Sequence, residues 1–460
     1  MAASIEQVNM TEGALLPKVL RFSLPLAATG VLQLLFNAAD VIVVGKFAGA
    51  TALAAVGATT ALINLLVNAF MGISVGVNIL VARYLGCRED ERVRACVHTA
   101  FALSLLLGLV VMAAGLTLST PMLELMKTPK DVLPLSSLYL RIYFLGIPGT
   151  IMYNFGAALL RAFGDTKRPM LFLTISGIVN ACLNLFFVIV CGMSVDGVAT
   201  ATVISQYISL FLVVRCLRRS EGLSHLELKS IRLDREESLR MIQIGLPAGL
   251  QSTLFSISNV LIQSSVNSFG ASVVAANTAA ASIEGFVYTA MNSVFHAAIT
   301  FTSQNLGARR YDRIDRIFWG SCAAVCIIGV PLSLLSTVFG PQLLSIYVSA
   351  DDPARDAVIA MGMIRTYYVT TPYFLCGIME VCCGMVRGLG KSWLPMFVTG
   401  VGACLSRIIW IYTIFQVHHT PEVLYSSYPM SWILTLVLHS VCFLAIYRKY
   451  EKRRAACAAV

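Results

Sequence analysis

Long apolar stretches separated by short polar ones run the length of the chain. A membrane-crossing helix needs about 20 mostly apolar residues. Twelve such stretches can be marked: 17–44, 52–82, 95–119, 133–160, 169–191, 197–217, 241–268, 273–303, 315–340, 356–386, 393–416 and 424–447. Several exceed the minimum, so they must tilt, bend or protrude. Glycine and proline interrupt many of them, which transmembrane helices tolerate when neighbours satisfy the freed backbone groups. The first dozen residues are polar and lack the pattern of a cleaved leader, so the first span is expected to direct insertion.

The pattern repeats. Leu24-Pro25 recurs as Leu246-Pro247, and Asn37 as Asn259. "RYLGCREDERV" (83–93) recurs as "QNLGARRYDRI" (304–314), and "YLRIYFLGIP" (139–148) as "MIRTYYVTTP" (363–372), which sets Arg141 against Arg365. "LLRAFGDTKRPM" (159–170) matches "MVRGLGKSWLPM" (385–396), and the offset stays between 221 and 226 residues. One repeat is about six spans, an even number, so the halves share orientation and their pseudo-two-fold axis lies along the membrane normal. The predicted class is an all-α polytopic membrane protein with twelve transmembrane helices in two six-helix lobes. The expected organisation is an N-terminal lobe (1–214), a basic cytoplasmic linker (215–240), a C-terminal lobe (241–447) and a basic tail (448–460). Two equivalent bundles can enclose a central cavity and open it to either side by rocking.

Composition agrees and narrows the class. Of 460 residues, 57% are hydrophobic and 13% charged, against about 25% charged in soluble domains. Mean hydropathy is +0.77. Soluble, disordered, coiled-coil and collagen-like classes are excluded. The net charge of +10 is explained by its location rather than by a nucleic-acid partner. Of the 34 Lys and Arg residues, 27 lie in alternate segments, including the linker and the tail; the opposite loops hold Lys46, Lys127, Lys130 and Arg355. The positive-inside rule then places both termini in the cytoplasm. The 13 cysteines are scattered, without the paired spacing of a metal site, and read as small buried hydrophobes.

Polar residues inside the spans carry the candidate chemistry. A carboxylate at mid-helix costs about 2.5–3.5 kcal/mol on insertion scales, and three stand out: Asp40, Glu284 and Glu380. Gln33, Asn37 and Asp40 share one face of span 1. Asn259 and Gln263 with nearby serines make the equivalent stripe in span 7. Asn64 and Asn68 lie in span 2, Asn180 and Asn184 in span 5, and Glu284, Tyr288 and Asn292 in span 8. Lipid offers such groups no partners, so they must face the bundle interior. Interhelical hydrogen bonding is the ordinary explanation for the amides and hydroxyls. Asp40 has no basic residue nearby in its own span, and a buried carboxylate can carry a proton or hold a cation. Glu380 could pair with Arg387 or Arg407. Arg141 and Arg365 lie near outer span ends, where they are expected to snorkel or pair. His296 reads as the one histidine deep in a span. Aromatic and sulfur side chains near the acids, among them Phe36, Met71 and Tyr288, suit a planar organic cation. The candidate cavity residues are thus Gln33, Asn37, Asn68, Asn259, Glu284, Tyr288 and Glu380.

"LPLAATGVLQLLFNAADVIVVGKFAGATALAAVGATTAL" (24–62) resembles the first-helix signature of multidrug and toxic compound extrusion (MATE) transporters. "VARYLG" (81–86), "LLRAFGDTKRPM" (159–170), "IEGFVYTAMNSV" (283–294), "QNLGARRYDR" (304–313) and "GIMEVCCGMVRGLGKSWLP" (377–395) extend the likeness over nearly the whole chain. The resemblance implies a two-lobed exporter of the plasma (inner) membrane, bacterial in type, that exchanges cationic or amphipathic drugs for Na+ or H+ and works as a monomer. It implies that Asp40 is the first-helix acid, that Pro25 is a helix bend, with Pro247 its counterpart, and that Asn180 and Thr202 belong to a first-lobe cation site. The chain departs at Asn184, where many relatives carry Asp. One carboxylate among amides could bind Na+ through oxygens or could simply protonate.

Other functions fit less well. An anionic or lipid-linked substrate would need a cavity lined by Arg or Lys, and the mid-membrane charges read as mainly acidic. A membrane-embedded enzyme would need a nucleophile–base pair, a metal cluster or a phosphate loop, and no such motif is present. No cofactor is expected beyond the coupling ion.

Overall fold

The computed structural model describes residues 9–126, 128–348 and 353–458, apart from the side chains at 50, 53, 61, 64–66, 68, 69, 271 and 452–458. Twelve long helical runs coincide with the twelve apolar stretches. They are α1 (Leu15–Ala48), α2 (Ala50–Cys87), α3 (Asp90–Leu125), α4 (Leu133–Ala162), α5 (Lys167–Val190) and α6 (Val195–Arg219), then α7 (Arg235–Asn267), α8 (Ala271–Gly307), α9 (Tyr311–Val338), α10 (Arg355–Gly388), α11 (Trp393–Val417) and α12 (Pro421–Ala458). A short helix, Gly340–Ser345, follows α9. Among the described residues ten runs are long and apolar enough to cross a membrane; α7 and α8 are as long but fall short in hydropathy. Among the described residues there is no β-strand.

The chain forms two compact units, Met1–Asn9 with Ala28–Gly249, and Met10–Ala27 with Leu250–Val460. The first half of α1 therefore belongs to the second unit, and the first half of α7 to the first. The two changes of unit that fall inside a continuous helix each come two residues after a proline, Pro25 or Pro247. An interior proline removes one backbone hydrogen bond and crowds the carbonyl four residues earlier, so the change occurs at the weakest turn.

In the first unit α4 packs on α2, α3 and α6. Phe101, Leu140, Phe144, Ile147 and Phe155 are fully buried there. Small residues permit the approach: a Cβ on Gly108 would lie 2.7 Å from Pro148 Cα, and one on Gly115 would strike the Phe144 ring. Close contact through small side chains is how membrane helices associate when lipid removes the hydrophobic drive. The start of α7 docks here too: Tyr84 donates its hydroxyl to Glu237 at 3.0 Å, and a Cβ on Gly72 would reach the Gly249 nitrogen at 2.1 Å.

In the second unit the later part of α10 packs on α8, α9 and α12. The entry to α1 is held by Asn305, which donates to the Met10 carbonyl at 3.0 Å, and by Arg313, which donates to the carbonyls of Glu12 and Gly13. Phe22 sets its ring edge-on to Phe301.

Four helices contain wide π-helical turns: Val44–Ala48, Phe186–Val190, Thr366–Thr370 and Gly400–Leu405. Such turns cost regular hydrogen bonding and are frequent at functional sites. Asp40 and Asn184 each lie shortly before one, and Arg365 immediately before another.

Candidate functional site

In the first unit, α1, α5 and α6 bring four polar residues together. Gly177 on α5 has no side chain, and the Phe36 ring of α1 fills that space; a Cβ there would lie 1.9 Å from the ring. This seats α1 against α5. About one turn further along α1 and two turns further along α5, Asp40 meets Asn184. The Asn184 amide donates to Asp40 Oδ1 and, at 3.3 Å, to Asn180 Oδ1, the residue four positions earlier on the same face. Asn180 in turn donates to Thr202 Oγ1 at 3.4 Å, and the Thr202 hydroxyl donates to the Val198 carbonyl at 2.9 Å. Asn184 is completely buried, yet its Oδ1 accepts no hydrogen bond. Among the described residues no basic side chain forms an ion pair with Asp40.

This arrangement is short of positive charge and of donors. A buried acceptor without a partner calls for an explanation such as a bound ion or water. Asp40, Asn184 and Thr202 supply carboxylate, carbonyl and hydroxyl oxygens, the ligand types that coordinate Na+ in transporter sites; the carboxylate alone can take a proton. Tyr139 on α4 is buried and stacks on Tyr143 at 6.2 Å. It escaped the sequence pattern because a tyrosine in an apolar run carries no positional signal.

The other first-unit candidates lie apart from this chain of bonds. Gln33 and Asn37 are exposed on α1. The side chains of Asn64 and Asn68 lie outside the described residues.

The second unit holds a different network. Arg365 on α10 is buried and grips Glu284 on α8, with Nη2 and Nε at 2.8 and 3.2 Å from Oε2. Its Nη1 donates to Asn277 Oδ1 at 2.7 Å, an atom that also accepts from the Tyr425 hydroxyl at 3.2 Å. Asn277 donates to Gln263 at 2.9 Å, and Gln263 to Asn267 at 3.0 Å, which carries the network to α7. The guanidinium lies over the rings of Tyr425 and Tyr428. Asn259 is exposed on α7 and takes no part. Tyr288 is 39% exposed and accepts from Asn292 at 3.3 Å.

Besides Arg313 at the start of α9, two further arginines, Arg387 and Arg407, are buried in this unit. Arg387 donates to Gln251 Oε1 at 2.6 Å and lies over Phe295, and its Nε has no acceptor. Arg407 donates to Ser431 at 2.9 Å and stacks on Tyr428 at 4.3 Å. Neither pairs with Glu380, which is 8% exposed and, among the described residues, has no hydrogen bond or ion pair. The expectation of a mainly acidic interior is therefore corrected for this unit: Arg365, Arg387 and Arg407 stand with two buried glutamates. Arg365 and Arg387 are near span ends in the sequence, where a long side chain can snorkel outward, and Arg407 lies inside its span. Here they turn inward, because Glu284, Gln251 and the aromatic face of α12 give them partners. His439 is a second correction. It is more deeply buried than His296 and contacts the Thr399 hydroxyl at 3.2 Å.

Comparison with known proteins identifies this architecture. The MatE family profile matches residues 25–186 and 247–413, one segment in each repeat. The chain belongs to the MatE family of membrane transporters. A probable multidrug resistance protein of Bacillus subtilis, YoeA, is 27% identical over 448 residues, 94% of each chain. The FAD transporter of Shewanella oneidensis is 24% identical over 336 residues, 72% of this chain and 74% of its own. A crystal structure of a MATE protein in complex with MaL6 superposes with a TM-score of 0.88 at 21% identity, covering 98% of this chain and 99% of that one. This MatE chain thus has the two-lobe, twelve-helix transporter fold, and its fold and relatives are those of transporters rather than enzymes.

Proposed function

We propose that this MatE protein is a cation-coupled antiporter that exports organic cations and amphipathic drugs, with Asp40 as the coupling carboxylate. The observation that carries the proposal is the unpaired Asn184 Oδ1 beside the carboxylate of Asp40, both within one unit and continued by Asn180 and Thr202. A Na+ ion or a proton arriving there is the coupling substrate. It drives export only through its different affinities for two conformations of the transporter. Pro25 lies where α1 passes between units, so a change at Asp40 is transmitted along one helix to the turn where that helix is weakest.

The test uses proteoliposomes with a fluorescent organic cation, a Na+ gradient and a pH gradient imposed separately, and Asp40→Asn beside the unaltered protein. The expected outcome is dye movement driven by one gradient and lost in the variant. Normal gradient-driven export by correctly inserted Asp40→Asn would sink the proposal.

One observation favours a second substrate class. Arg365, Arg387 and Arg407 against Glu284 and Glu380 make the interior of the second unit basic and aromatic. Such surroundings suit a planar anion, and the Shewanella relative is named for FAD. Uptake of a flavin nucleotide in the same vesicles, competing with the dye, would support that reading; indifference to the nucleotide would exclude it.

A further inference from the structure

The end of α6 carries an open groove that the coupling site does not use. Its volume is about 660 Å³. Tyr207, Leu210, Phe211 and Val214 line one half, and Arg215, Arg218 and Arg219 the other. The spacing repeats at three and four residues, so the lining is one stripe along the helix. The stripe is sorted by height, apolar first and basic in the last turn. Phe211 is 59% exposed. Tyr207 donates its hydroxyl to the Leu145 carbonyl at 2.8 Å, which leaves its ring as wall.

The three arginines are exposed, and among the described residues none has a hydrogen-bond or ion-pair partner. Nearby Arg168 differs: it is tied to Asp165 at 3.3 Å and lies outside the groove. Among the described residues no acidic side chain lines the groove. Basic residues at a helix C-terminus complement the helix dipole, and cytoplasmic loops are basic in any case. Neither cause accounts for an apolar groove continuing from the arginines along the same face.

We propose that this groove holds one anionic phospholipid of the cytoplasmic leaflet. Its phosphate would lie on Arg215, Arg218 and Arg219, and an acyl chain along Leu210, Phe211 and Tyr207. Guanidinium forks match phosphate oxygens in pairs. From 215 to 219 the helix rises about 6 Å, close to the depth of one headgroup layer, about 5–8 Å. The apolar turns then fall at the depth of the upper acyl chain. The proposal rests on the cytoplasmic placement of this helix end and is independent of Asp40.

The test is native mass spectrometry of the full chain, extracted in mild detergent and offered phosphatidylglycerol or phosphatidylcholine. Three proteins are compared: the unaltered chain, the triple variant Arg215→Gln, Arg218→Gln, Arg219→Gln, and a charge-matched control, Lys229→Gln, Arg232→Gln, Arg235→Gln. The unaltered chain should retain phosphatidylglycerol preferentially. The groove variant should lose that preference, by about fivefold per arginine, and the control should keep it. Single Arg218→Gln and Phe211→Glu variants test the two halves of the groove separately, should the triple variant not insert. Millimolar inorganic phosphate should leave the lipid bound. Equal loss in the control, equal retention of both lipids, or displacement by free phosphate would each overturn the proposal.

Discussion

The two units descend from one repeated pattern, yet Asp40 in the first and Glu284 in the second are held on opposite terms. The first unit leaves a carboxylate without a cation and an amide oxygen without a donor. The second unit closes its carboxylate at Glu284 with Arg365, two tyrosine rings and an asparagine. At the offset that pairs Asn37 with Asn259, Asp40 corresponds to a buried isoleucine, Ile262. Arg365 corresponds to Arg141, which is exposed and, among the described residues, reaches only the Thr120 hydroxyl, at 3.2 Å. An unsatisfied site can respond to an ion because binding completes it. A satisfied one resists change, because removing either partner strands a charge. Duplication has therefore preserved the helices and divided the electrostatic roles.

The comparison can be broken most severely at Asp40. Replacing it by Asn should lower gradient-driven transport about ten- to hundredfold, the loss of a charge-assisted interaction of about 1.5–3 kcal/mol, with little change in thermal stability. Arg365→Ala should do the reverse. It strands Glu284 in a buried position and should cost about 3–5 kcal/mol of stability, read as a lower melting temperature in detergent. The double variant Glu284→Leu, Arg365→Met should recover most of that loss; no recovery would mean that Arg365 acts through something other than the pair.

Gly177→Val should have an intermediate effect. The added carbons displace the Phe36 ring, costing about 1–3 kcal/mol as overpacking, and they part Asp40 from Asn184. Transport should fall with stability, and a companion Phe36→Ala should restore part of both. The smallest effect belongs to Arg141→Ala. An exposed arginine with one hydroxyl contact should change stability by no more than about 0.5 kcal/mol. A loss as large as that of Arg365→Ala would show the two positions to be energetically equivalent after all.

Much of this was legible in the residues. Apolar length identified each of the twelve long helices, because a helix that crosses lipid must be about 20 apolar residues long whatever its neighbours do. The cost of a carboxylate in lipid singled out Asp40, Glu284 and Glu380. The spacing of Asn180 and Asn184 put both on one face of α5, where the structure joins them to Asp40 and Thr202. Less legible were residues whose partners lie far along the chain. Arg365 reaches Glu284 across 81 residues and Asn277 across 88. Arg387 finds Gln251 across 136. Periodicity within one helix says which face is polar but not what stands opposite it.

The sequence alone determined the class, the helix count, the internal repeat and which acids lie inside the spans, because lipid penalises each polar group by itself. Only the tertiary structure decided which acid stays open and which is closed, where α1 and α7 change units, and that three arginines turn inward. Those outcomes depend on which side chains meet across helices, and a buried charge is tolerated or strained according to the partner it meets there.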